Sequence, residues 1–110
     1  MKDRLISLLK DIEENGEQTS WDWMSDYRYA KIIGDEESET IILKALNSHS
    51  TVYAKLNAVL LTGIPSKRMR DLRELVKLGY LKSCWVGSGE GGYSELGVRR
   101  LRAYYHKGNV

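Results

Sequence analysis

The sequence predicts a mainly α-helical α+β fold with one small β-hairpin. Three observations carry that expectation. Apolar residues recur at helical spacing through most of the chain up to Leu78. A strand-forming run at residues 80–86 is followed by Gly87-Ser-Gly-Glu-Gly-Gly92, the composition of a turn between strands. A chain of 110 residues makes one domain with a modest core.

Residues 2–14 hold Leu5, Ile6, Leu8, Leu9 and Ile12, which gives an amphipathic helix with a broad apolar face. Residues 15–20 are a loop. Residues 21–29 are dense in aromatics and suit either a helix or irregular structure; a short helix over 21–31 is the reading adopted. Asp35 is a cap for a helix over 36–47, whose apolar residues are Ile41, Ile42, Ala45 and Leu46. Glu36, Glu37 and Glu39 suit the positive end of its dipole. Asn47-Ser-His-Ser50 is a polar break. A second helix over 52–61 carries Ala54, Leu56, Val59 and Leu60, and Thr62-Gly63-Ile64-Pro65 is a tight turn.

The next helix is the most informative. Ser66 is placed to cap it, and Met69, Leu72, Leu75 and Val76 form its apolar face over 67–78. Gly79 suits the left-handed residue beyond a helix end. Lys67, Arg70, Glu74 and Lys77 lie opposite the apolar face, with Asp71 and Arg73 flanking. Arg68 sits nearer the core edge and must snorkel to reach water. After the glycine-rich turn, Tyr93 begins a short return strand. Ser94 then caps a final helix in which Val98, Leu101 and Tyr105 share a face.

The spacing Leu75-x-x-x-Gly79-Tyr80-Leu81 resembles the helix-to-wing junction of MarR-like and PadR-like regulators. Ser94, Gly97 and Leu101 resemble their wing exit, where a Ser or Thr is followed by two residues, a Gly, three residues and a Leu. The resemblance is to the winged helix-turn-helix superfamily and covers about residues 35–106. It implies a winged domain over 35–107 and a helical extension over 1–34, together one compact unit, with a short extra strand near Ser50. It also implies double-stranded DNA as partner, a homodimer and a role in transcription regulation.

On that reading the helix over 67–78 enters the major groove. Ser66, Lys67 and Arg70 lie at its leading end, where base edges and phosphates are first met. Arg73 and Lys77 hold phosphates, with Arg68 at the edge of the same surface. Tyr53 and Lys55 touch the flanking backbone, and Glu74 is spaced to orient Arg70 or to form a plain surface salt bridge. Leu5, Leu8, Leu9, Ile12, Trp21, Trp23, Tyr104 and Tyr105 either complete a small core or form a dimer or partner surface. Two rivals stay open. One is a winged domain used for protein–protein contact through residues 21–29; the other is a DNA-binding accessory of replication or recombination.

Charge placement favours a polyanion. From Ile64 onward there are ten Lys and Arg against four acids, while residues 1–63 hold seven against eleven. The glycine-rich turn itself carries Glu90 and no cation, so it is expected to touch little DNA. Nothing suggests an enzyme, a metal site or a cofactor. His49 and His106 are isolated, no zinc-ligand spacing is present, and residues 87–92 lack the ending of a phosphate loop. No stretch has transmembrane length or the form of a signal peptide. The lone Cys84 excludes an internal disulfide and fits a reducing cytoplasm.

Overall fold

The computed structural model describes residues 1–87 and 100–106. Five helices and a small antiparallel sheet make an α+β fold, in the order α1 (Asp3–Asn15), β1 (Gln18–Thr19), α2 (Trp23–Ile32), α3 (Glu36–Asn47), α4 (Val52–Leu60), α5 (Ile64–Lys77), β2 (Leu81–Gly87) and β3 (Arg100–His106).

Local chemistry sets most of the boundaries. Asp22, Asp35 and Thr51 precede α2, α3 and α4, and their side chains accept from the backbone N–H three residues on, at 3.1, 3.0 and 3.2 Å. α5 starts differently. Ser66 makes no cap: the helix begins two residues earlier, behind Gly63 at φ 72°, with Pro65 in its first turn. Thr62 supplies the cap from outside the helix. Its hydroxyl donates to the Val59 carbonyl at 2.6 Å and accepts from the Ile64 N–H at 3.1 Å. At the far end Gly79 takes φ 87°, and the Tyr80 N–H returns to the Leu75 carbonyl at 2.9 Å.

The last element corrects an expectation. Leu101 and Tyr105 lie in strand β3, not on a helix face; Ser94, Gly97 and Val98 fall outside the described residues. β3 pairs with β2 from Leu81 opposite His106 to Gly87 opposite Arg100. Its other edge takes β1, with Gln18 opposite Tyr104 and Thr19 opposite Ala103. The sheet order is therefore β1-β3-β2. The extra strand comes from the loop after α1, while Ser50 stays outside any strand.

The core lies between the helices and one face of this sheet. Leu5, Leu8 and Ile12 of α1 meet Tyr29 and Ala30 of α2, Ile42 of α3, Val59 of α4, and Ile64, Leu72 and Leu75 of α5. Leu81 and Tyr104 close it from the sheet. The first helix is thus core throughout its inner face. Leu5, Leu8, Ile12 and Tyr104 are buried, so they offer no dimer or partner surface in this fold. Leu9 and Trp23 pack half-buried against the same core. Trp21 and Tyr105 are half-buried as well. Among the described residues, no helix is long and apolar enough to cross a membrane.

Candidate nucleic-acid interface

α5 has three distinct sides, set by roughly 100° of turn per residue. Its inner side carries Ile64, Arg68, Asp71, Leu72 and Leu75, all buried. Its outer side carries Ser66, Arg70 and Lys77, with Lys67 and Glu74 on one flank and Arg73 on the other; all six are exposed. The third side, Met69 and Val76 with Arg73 at its edge, faces the sheet across an open groove.

Arg68 is removed from the surface. Sequence placed it among the DNA contacts; the fold places it at 0% exposure. Its Nε–H donates to Asp26 at 2.7 Å, and its two terminal nitrogens donate to the Gln18 side-chain oxygen at 3.1 Å and the Thr19 carbonyl at 2.9 Å. A guanidinium so deep needs a carboxylate and fixed acceptors to offset the loss of water. Burial drives the Asp26 carboxyl above its ordinary range, and Arg68 acts in the opposite sense. The network continues outward. Gln18 donates to Asp11 at 2.5 Å, and Asp11 also pairs with Arg28 at 2.9 Å.

One turn along α5, Asp71 is also turned inward. Arg4 of α1 grips it at 2.9 and 3.3 Å, and the Tyr29 hydroxyl donates to it. Burial and the Asp71 carboxylate both push the Tyr29 phenol above its ordinary value. Arg68 and Asp71 therefore fix α5 in rotation and along its axis against α1, β1 and α2. This is a built support for the outward face.

On that face, Arg70, Arg73 and Lys77 form no salt bridge with any described acid, and Arg70 and Glu74 do not pair. Lys67 lies close enough to the α3 cap to help hold the Asp35 carboxyl below its ordinary value, an effect led by the hydrogen bonds from Ser38. Tyr53 on α4 is 60% exposed. Lys55 is half-buried and turns toward α3, lining a recess with Lys44 and Ser48, so it is not brought onto the α5 face.

The groove beside α5 was missed at the level of sequence. It has a volume of about 630 Å³ and is lined by Met69, Val76, Arg73 and Lys77 from α5, Ser83 and Trp85 from β2, and Ser20 and Tyr104. An adjoining recess of about 300 Å³ shares Ser20, Met69 and Arg73 and runs on to Trp21, Leu60, Pro65 and Ser66. The alternation Leu81, Ser83, Trp85 on one strand face was the available signal. No protein-family model matches the chain, and no match was found among curated proteins or solved structures.

Proposed function

We propose that the chain is a DNA-binding protein of winged helix-turn-helix type, with α5 as the helix that enters the major groove and transcription regulation as its role. The carrying observation is the outward side of α5. Arg70, Arg73 and Lys77 are exposed and in no salt bridge with a described acid, while the two charges that would blur the pattern, Arg68 and Asp71, are turned into the core. Two features of the fold support the reading. α4 and α5 are joined by a turn of three residues, so the first helix braces the second. The hairpin after α5 and the strand order β1-β3-β2 suit a small wing beside it. α5 is held by its inner charges, which favours a rigid groove-reading element over a loosely attached basic helix.

Duplex binding by fluorescence anisotropy across a salt series tests this. Wild-type affinity should fall steeply with salt, because each neutralised phosphate contributes about −0.9 to the slope of log K against log salt. In Lys67→Ala/Arg70→Ala the slope should shrink by about 1 for each phosphate that is no longer neutralised. Absence of binding at low salt overturns the proposal.

One observation favours a second reading. Tyr53 and Leu60 of α4 and Leu61 just beyond it are large apolar side chains left exposed, Leu61 by 88%. A protein contact there stands beside the one through residues 21–29, where Met24 is 51% exposed while Ser25, Asp26 and Tyr29 are buried. If duplex binding fails, Leu61→Asp in a sizing experiment distinguishes self-association through these side chains from a monomer.

A further inference from the structure

We propose that the groove between α5 and β2 binds a single-stranded segment of nucleic acid, with an unpaired base stacked on Trp85 and the backbone held by Arg73 and Lys77. The inference rests on the reading that the cations of α5 face nucleic acid, and it adds the form of nucleic acid bound.

Four observations lead there. Trp85 is 55% exposed on the sheet face that elsewhere buries Leu81 and Tyr104, so a large flat indole stands at the mouth of a recess. Such a surface accepts any base by stacking. Arg73 and Lys77 edge the same groove, and no acid is among the described residues that line it or the adjoining recess, which matches a polyanion. The two recesses share Ser20, Met69 and Arg73, so they adjoin, with Trp85 lining one, Trp21 the other and Arg73 common to both. The main recess, at about 630 Å³, is of the size that holds a small organic group.

The geometry favours an unpaired strand over a duplex at this place. Bases in a duplex are stacked on one another, and a cleft between a helix and a sheet admits a base only when it is splayed out. The convex outer side of α5 suits the duplex; the concave side beside it suits the strand. An acidic peptide would satisfy Arg73 and Lys77 but gives no reason for an exposed indole beside them.

The test uses the full chain and a labelled 12-nucleotide single strand of mixed sequence, alongside a duplex of the same sequence and an acidic peptide lacking aromatics. Tryptophan fluorescence should be quenched as the single strand binds. Trp85→Ala should weaken that binding roughly 5- to 150-fold, the range base stacking gives, and Trp85→Phe should restore much of it. Lys67→Ala/Arg70→Ala should weaken the duplex far more than the single strand. Urea melts of each variant establish that it is folded. Single-strand binding indifferent to Trp85→Ala overturns the proposal, as does duplex binding without single-strand binding, which leaves the major-groove reading standing. Peptide binding that depends on Trp85 overturns it in favour of a protein ligand. Binding of neither nucleic acid removes both readings together.

Discussion

Replacing Arg68 by methionine should be among the most damaging single changes in this chain. The substitution keeps a long apolar stem but removes the donors that reach Asp26, Gln18 and Thr19 at 2.7, 3.1 and 2.9 Å. Asp26 is then a carboxylate at 1% exposure with no cation beside it. Breaking one side of a buried pair costs about 3–5 kcal/mol. Domains of this size have stabilities of about 5–15 kcal/mol, so the loss is a large share of the whole. The double variant Arg68→Met/Asp26→Leu removes the stranded charge as well. It should recover most of the loss, with a residue of about 1–3 kcal/mol from the Gln18 and Thr19 oxygens left without donors. Urea unfolding followed by circular dichroism measures both, as a midpoint shift at unchanged slope. A single variant that costs under about 1 kcal/mol, or a double variant that merely adds the two single losses, would refute the argument that this pair anchors α5. On the proposed DNA-binding reading, the salt slope, corrected for the folded fraction, should be the same in Arg68→Met as in wild type, because Arg68 is buried.

Leu8→Ala should cost about 2–5 kcal/mol in the same assay, as expected for a fully buried leucine, and should leave the sizing profile of the folded protein unchanged. Gly79→Ala should cost about 1–2 kcal/mol from backbone strain alone, since φ is +87° and an added Cβ meets no atom within 4 Å; a neutral result in thermal melts would contradict that conformation. Hydrogen bonds from Ser38 hold the Asp35 carboxyl below its ordinary value, so its contribution is present above an unfolded value of about 3.9 and is lost as pH falls through the lower folded value. Carboxyl NMR should show that midpoint rising in Ser38→Ala; an unmoved midpoint would rule out the side-chain bond as its cause. The Tyr29 phenol is shifted upward, so its contribution is present below about pH 10 and is lost as pH rises through the higher folded value. Absorbance titration should show one tyrosine keeping its proton after the exposed ones have lost theirs, and Tyr29→Phe should remove that late step.

The helices were legible where a cap and a period agreed. Asp35 before three glutamates and Gly79 after Leu75 and Val76 mark ends that the structure keeps. Two features resisted for physical reasons. Arg100-Leu-Arg-Ala-Tyr-Tyr-His106 satisfies helical spacing from Val98 to Tyr105 almost as well as alternation, and only the partners β2 and β1 decide for a strand. β1 spans two residues, too few for any period. The wheel puts Arg68 at the core edge, and the expectation that its head snorkels to water follows from how rarely arginine is fully buried. Its position between Ile64, Leu72 and Leu75 on the wheel, with Asp71 three residues on, was the sign of an inward pair. The cations Arg70, Arg73 and Lys77 were found from sequence. The groove that Arg73 and Lys77 border was not, because it needs Ser20 and Tyr104 from opposite ends of the chain.

The support under α5 also bears on how portable this domain is. Gln18, Thr19, Asp26, Arg4 and Tyr29, which hold Arg68 and Asp71, all precede residue 35. A fragment cut there for fusion or transplantation would keep α4, α5 and the outward cations. It would also carry two opposite charges three residues apart on an apolar strip, with their counterparts left behind. Anyone grafting α4 and α5 onto another scaffold would have to bring α1 to α2 along or rewrite both positions as apolar.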